Sequence, residues 1–467
     1  MTGTPCDSGF AGFRRTSAAI LALLLLLPSG AHGDVLTVDF PEAVSRAMKN
    51  NPFLSAAGEE WTAAKEDAVA ARGYYLPSVA LEGRFIRTNI PSEGFAFKIN
   101  QERLLPSDFA SVDNFNKPSP INEYMTALTV EQALFAPKAW LGRRMAVREA
   151  GAKGLELRRM KEEVAYQVLS AYLGVLTAKE SLQVAIRGED DAKEHLRIAK
   201  AVEREGMGLA SDALRAKVFL ASAESSRVTA ENRLALAQRE LALAMGEKGG
   251  TVVDAAAGLP DLPDGGALTD RIAAALDARA DLRAFSLRVE NAAAGVDLQR
   301  SDYLPAVGLM GAWQMDGQDG IFSPDNHSWK VGIGLKWNIF DGFRREAAVG
   351  RSSAESGRAK AHYRGARDRA AFEVTRAYLG VNEAGKRVEI ARSSAEAALE
   401  GARLIKARYE NQLARMVDVL DSQTALNAAR AELVKAENDL RQSGAELLSA
   451  SGELLPWALP GGPEEKR

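Results

Sequence analysis

The residues able to do chemistry are few and scattered. After the first 33 residues three histidines remain, His195, His327 and His362, none with a second histidine or cysteine at the spacing of a metal pair. Each is expected on a surface helix or loop. No glycine-rich loop ends in Lys-Ser or Lys-Thr, and neither His-Glu-x-x-His nor Gly-x-Ser-x-Gly occurs. The sequence therefore predicts no enzyme, no resident metal and no cofactor. Its information lies in the patterning of its elements.

The N-terminus reads as a signal peptide: Arg14 and Arg15, an apolar run from Ala18 to Leu27, Pro28, then Gly30-Ala31-His32-Gly33. The run is too short for a bilayer core of about 30 Å. With Ala31 and Gly33 at positions −3 and −1 of the cut, the mature chain is expected to begin at Asp34. Cleavage removes the one cysteine, Cys6, so no disulfide, thiolate site or lipid-bearing cysteine survives. The mature chain has 57 basic and 61 acidic residues, a balance that argues against nucleic acid as a partner. No later segment reaches about 18 continuous apolar residues, so a membrane crossing would have to be a barrel.

A repeat organises the chain. YYLPSVALEGRF at 74–85 returns as DYLPAVGLMGAW at 302–313, and AYLGV at 171–175 returns at 377–381. The offset falls from 228 to 206, which places a 22-residue insertion in the first half between Phe85 and Tyr124. That stretch, rich in Pro, Asn, Ser and Asp, is expected to be a long surface loop. Residues 34–248 form the first repeat: a helix, strands at about 77–88 and 124–135, and long helices at about 138–205 and 210–246. A connector at 249–266 leads to the second repeat, 267–455, with strands at about 305–315 and 329–340 and helices at about 343–411 and 416–452. Residues 456–467 are left as a tail, and the two repeats are read as one intertwined domain.

From Trp329 to Ile339, alternate residues are Trp329, Val331, Ile333, Leu335, Trp337 and Ile339, while Lys330, Gly332, Gly334, Lys336 and Asn338 fall between them. The first half repeats this, with Val79, Leu81, Gly83 and Phe85 opposed to Ser78, Ala80, Glu82 and Arg84. Period-two alternation with aromatics at the ends fits a membrane barrel. It fits a soluble sandwich equally well. Proline is absent from Lys138 to Leu259 and from Asp325 to Leu455, and a helix over 138–205 would be about 100 Å long. Val164, Val168, Ala171 and Val175 make one apolar seam and Leu169, Leu173 and Leu176 a second, so neighbours are expected on two sides. Ala370, Val374, Ala377 and Val381 repeat the first seam.

This ordered set resembles the TolC-like outer membrane efflux family: a signal peptide, two repeats, Tyr-Leu-Pro before the first strand of each, and Leu-Phe or Ile-Phe ending the second. The resemblance covers essentially the whole mature chain. It implies a mixed α+β membrane protein, in which three copies each give four strands to one twelve-stranded outer membrane β-barrel. That barrel would continue into a long periplasmic α-helical barrel of coiled-coil helices. It implies a passive exit duct fed by an inner-membrane transporter through a periplasmic adaptor. Segments 86–123 and 314–328 would be external loops, and Tyr124, Trp313, Trp329, Trp337 and Phe340 would lie where outer membrane lipid meets water.

By the same resemblance the turns near 206–212 and 412–418 form the gated periplasmic tip. RYENQLARMVDVLDSQTAL at 408–426 resembles the family stretch that places two carboxylates at the narrowest point, here Asp418 and Asp421. Their i, i+3 spacing puts both on one helical face. Threefold symmetry would make six, attracting cations and raising apparent pKa values by mutual repulsion. Tyr409 is implied to bond Ser211 or Asp212 as a latch, with Arg415 a further candidate. The departures are Gln412 where the family has glycine, and Ala414 where it has a basic residue. Two rivals stay open: an exit duct for type I protein secretion, and a periplasmic coiled-coil protein without a barrel.

Overall fold

Helix starts are written locally. Asp39 accepts a hydrogen bond from the Glu42 amide at 2.8 Å, capping the first helix, and Asn51 caps the second by accepting from Phe53 at 2.9 Å. Pro52, Pro91 and Pro137 each stand at the start of a helix, where a missing N–H has no cost. The computed structural model describes residues 35–256, 258–259, 266–321 and 326–459. The expected signal peptide, the connector segment 260–265 and residues 460–467 of the expected tail lie outside them.

The elements are β1 (Leu36–Val38), α1 (Phe40–Asn50), α2 (Pro52–Gly73), β2 (Ser78–Thr88), α3 (Pro91–Asn100), α4 (Val112–Asn116), β3 (Ile121–Phe135), α5 (Pro137–Arg204) and α6 (Ala210–Ala244). There follow β4 (Val253–Ala255), α7 (Leu268–Ala278), α8 (Ala280–Arg300), β5 (Ala306–Gly317), β6 (Asn326–Lys336), α9 (Arg344–Glu410), α10 (Met416–Ser451) and α11 (Leu454–Ala458). With 68 residues, α5 is about 100 Å long. It packs against α6 and α10 towards one end and against α2 and α8 towards the other; α9 packs against α8 and α10. Both expected seams are buried: Val164, Val168, Ala171 and Val175 in one, Leu169 and Leu173 in the other, with Ala370, Val374 and Ala377 in the second half.

The main core joins the two repeats midway along the molecule. Phe40 packs edge-on to Tyr172, with ring centroids 5.8 Å apart, and meets Trp457 at 5.4 Å. The Tyr172 hydroxyl donates to the Ala256 carbonyl at 2.6 Å, so a buried polar atom is satisfied. β1 pairs in parallel with β4 beside this core. Two expectations are corrected here. The segment 249–266 is not merely a connector, because it supplies β4, and the stretch expected as a tail from 456 begins inside α11, whose Ala458 is buried in the core.

The other four strands make one antiparallel sheet in the order β2-β3-β5-β6. The strand expected over 329–340 runs instead over Asn326–Lys336. Its partner β5 begins at Ala306, opposite Lys336, directly after Pro305, which has no N–H to extend the ladder. Beyond Lys336 the carbonyls of Asn338 and Ile339 accept from the Arg345 guanidinium, each at 2.8 Å. The loops are corrected too. β5 continues through Gly317 into the expected 314–328 loop, and the 86–123 insertion carries α3, α4 and a cluster of Phe95, Phe109 and Phe115.

Candidate functional site

The sheet comes first. Its register aligns Leu81 with Leu128, Leu128 with Trp313 and Trp313 with Trp329, so one apolar row crosses all four strands. Val79, Val130, Gly311 and Val331 form the next row. The face is open: Leu81 is 67% exposed, Val331 68% and Ile333 71%. The opposite face carries Glu82, Arg84, Gln314, Ser328 and Lys330. Among the described residues β2 and β6 each have one edge without a strand partner, and such edges seek a strand.

The expected interface aromatics fall at three levels along the strands: Tyr124, then Trp313 with Trp329 four residues further along the ladder, then Trp337 and Phe340 beyond the end of β6. Tyr124 stacks on Phe85 near the upper end, with centroids 4.6 Å apart, and Trp313 and Trp329 are direct cross-strand partners. Trp337 and Phe340 lie below the last strand; the Trp337 indole donates to the Tyr303 carbonyl at 3.0 Å, and Phe340 packs edge-on to Phe343 at 5.6 Å. The eight residues from Trp329 to Trp337 correspond to roughly 27 Å of extended chain.

At the other end of the molecule the two long hairpins turn by the same device. At the end of α5 the Gly206 amide donates to Glu203 and that of Met207 to Val202; at the end of α9 the Gln412 amide donates to Tyr409 and that of Leu413 to Arg408. Both closures need a left-handed residue. Gly206 supplies it with φ of 73° and Gln412 with φ of 63°. Between the turns Ala199, Ala213, Ala216, Met416, Val419 and Leu420 form a small core, against which Tyr409 packs.

Asp418 and Asp421 share the first turns of α10 but differ in circumstance. Asp418 accepts from the Arg415 amide at 2.9 Å and lies 3.5 Å from its guanidinium, which caps the helix. That backbone bond, with the arginine's side chain and charge, holds the Asp418 carboxyl of a single chain below its usual range. Asp421 is exposed. Among the described residues Arg415 pairs with Asp418 of its own helix. Tyr409 is half-buried, and burial followed by the charge of Asp212 raises its pKa. Among the described residues of the single chain it makes no hydrogen bond with Ser211 or Asp212 and packs against the small tip core.

A model of the family described as outer membrane efflux protein matches residues 43–247 and 272–453. The chain belongs to that family. It is 24% identical over 455 residues to outer membrane efflux protein BepC of Brucella suis biovar 1, covering 94% of this chain and 90% of the relative. It is 22% identical over 450 residues to alkaline protease secretion protein AprF of Pseudomonas aeruginosa, covering 93% and 87%. The crystal structure of VceC from Vibrio cholerae shares its fold with a TM-score of 0.74 at 18% identity, over 88% of this chain and 96% of that one. Membership makes this outer membrane efflux protein an outer membrane channel that protrudes into the periplasm, and not an enzyme.

One group in this efflux protein escaped the reading from sequence. His195, expected at the surface, is buried between α5 and α10 beside Gln423. Gln423 in turn donates to Asp191 at 2.7 Å and to Asn427 at 3.2 Å. Its sequence signal was the polar intrusion of Gln423 and Asn427 among the buried positions Val419, Leu420 and Leu426.

Proposed function

We propose that three copies of this chain form the outer membrane exit duct of a tripartite efflux system, carrying small molecules delivered by an inner-membrane transporter and a periplasmic adaptor. The observation that carries the reading is the pair of unfilled edges. β2 and β6 leave strand edges unpaired beside an apolar face, and α6 and α9 leave apolar side chains exposed along the same two flanks, among them Val218, Leu236, Phe372 and Ile390. A second copy joining β6 to the next β2 would continue both walls, and a closed ring leaves no edge. Three copies of four strands make twelve. The open apolar face would then meet lipid, with Tyr124, Trp313 and Trp329 towards one interface and Trp337 and Phe340 towards the other; their spacing is of the order of the ~25 Å apolar band of such barrels.

At the periplasmic tip, Asp418 and Asp421 of three copies would ring the axis as a cation-attracting constriction. The deciding experiment is conductance of the purified mature protein in a planar lipid bilayer under a salt gradient. Discrete, cation-selective channels from a heat-sensitive trimer support the duct, and well-folded protein that never inserts refutes it. Similarity to a protein named for alkaline protease secretion favours a second cargo class. Deleting the gene separates the two: drug sensitivity with an unchanged set of secreted proteins supports small-molecule efflux, and the loss of one secreted protein supports secretion.

A further inference from the structure

Where the sheet gives way to the helices, the apolar face continues into a charged cleft. Phe135, the last residue of β3, pairs with Val307 in the row that ends at Leu335 on β6, so its ring belongs to the open apolar face. Trp140, in the first turn of α5 and 45% exposed, packs edge-on to that ring at 5.8 Å. Beside it a cleft of about 470 Å³ opens between Tyr75, just after α2, and the α5 residues Trp140, Arg143, Arg144, Val147 and Arg148. Arg143 stands over the Tyr75 ring, 5.8 Å from its centroid. Arg148 is paired with Glu290 at 3.2 Å, but among the described residues neither Arg143 nor Arg144 has a carboxylate partner. The second repeat fills the same place from within. Tyr303, the counterpart of Tyr75 in the Tyr-Leu-Pro repeat, has Arg345 over its ring at 4.7 Å and donates its hydroxyl to Glu346 at 3.0 Å. Arg345 in turn lies 3.3 Å from Asp341. There the cation is neutralised inside the chain; beside Tyr75 it is not.

We propose that this cleft binds the headgroup of an anionic phospholipid of the periplasmic leaflet, with Arg143 and Arg144 on its phosphate and Tyr75 and Trp140 against its glycerol and the upper part of an acyl chain. Guanidinium groups match a phosphate with parallel N–H donors, and aromatic rings that are apolar on one side and wet on the other suit the boundary between lipid and water. The height agrees. Arg143 and Arg144 follow the start of α5 by six and seven residues, about 10 Å along the helix. Helical side chains lean back towards the N-terminus, which here is towards the sheet, and this brings both cations up to the headgroup layer of about 5–7 Å that borders the hydrocarbon. A neutral ligand would leave two cations without a counter-charge. A free anion would use the arginines but not the apolar wall of Trp140 and Val147 that continues from the sheet.

The inference rests on the duct reading, in which the apolar face meets lipid. Native mass spectrometry of the full mature trimer in detergent, with phosphatidylglycerol or phosphatidylcholine of the same acyl chains added, tests the site. The wild type should retain phosphatidylglycerol in preference, a comparison that needs no variant to fold. Arg143→Ala with Arg144→Ala should weaken that binding about thirtyfold, the combined contribution of two arginines at a lipid surface. Arg215→Ala with Lys217→Ala, which removes the same charge from the exposed side of α6, should leave it unchanged. Equal retention of the two lipids by the wild type, or an equal loss in the two double variants, overturns the site. Displacement of phosphatidylglycerol by inorganic phosphate would assign the arginines to a free anion and overturn the lipid. Bilayer recording separates this from the duct: wild-type channels without a lipid preference leave the duct standing and remove only the site, whereas well-folded protein that never inserts overturns the duct itself.

Discussion

At Gln412 the second hairpin asks a residue with a side chain to hold φ of 63°, a conformation that costs a non-glycine residue of order 1 kcal/mol. Gln412→Gly is therefore expected to stabilise the closure, slowing amide exchange at Leu413, whose N–H donates to Arg408 at 2.8 Å. Faster exchange would mean that the contact of the Gln412 amide with Met207 Sδ, at 3.7 Å, outweighs the strain. Arg279 presents a different case. Nearly buried, it bonds Asp281 at 2.7 Å and 3.1 Å, Glu373 at 2.7 Å and the Ala450 carbonyl at 3.4 Å, joining α8, α9 and α10. Burial alone would raise the Asp281 carboxyl, but the hydrogen bonds and charge of Arg279 outweigh it and leave it below its usual range. Removing the arginine strands two carboxylates, so Arg279→Met should cost about 3–5 kcal/mol in denaturant unfolding. A depressed carboxyl stabilises the fold above its unfolded pKa of about 3.9 and stops doing so as pH falls through the folded value. The gap between wild type and Arg279→Met should thus be full at neutral pH and narrow on acidification below about 4; a constant gap would assign the loss to packing.

Among the elements, β6 has two faces with different tolerances. Ile333 lies mid-strand on the open apolar face, and Lys330 lies on the other. If the apolar face meets lipid, Ile333→Arg should cost about 2–4 kcal/mol near the bilayer midplane, and Lys330→Ala little. The readout is the amount of heat-sensitive trimer in the outer membrane fraction. Equal tolerance at both positions would place the sheet outside the membrane. The helices divide the labour differently. α5 is buried along two seams because it has neighbours on both sides, whereas α6 and α9, at the flanks of the chain, leave Leu236 and Ile390 uncovered.

For the whole molecule, symmetry turns single residues into rings. One Asp418 and one Asp421 are a helix cap and an exposed carboxylate; three of each around an axis would form a selectivity filter. Replacing both with Asn should lower the cation-to-anion permeability ratio while leaving trimer assembly intact, as read from reversal potentials in a salt gradient. Unchanged reversal potentials would remove these carboxylates from conduction. A modest loss of stability is also expected, because Asp418 accepts from the Arg415 amide.

Composition and period alone determined much of this protein. Two proline-free stretches had to become long helices, alternating residues had to become two-faced strands, and the drop in offset between repeats had to be an insertion. These are local properties, set by backbone geometry and the side-chain periods of 3.6 and 2. Gln412 could likewise be marked as a departure from its glycine counterpart. The tertiary structure alone decided what depends on partners distant in sequence. The polar interruption at Gln423 does not by itself point to His195, which is 228 residues away, and α11 looked like a tail because its core partner Phe40 stands at the opposite end of the chain. β6 stops at Lys336 because its neighbour begins only after a proline, and Tyr409 packs against a small core drawn from α5, α6 and α10. Pairing across hundreds of residues is fixed by how helices and strands meet, and a one-dimensional pattern does not contain that geometry.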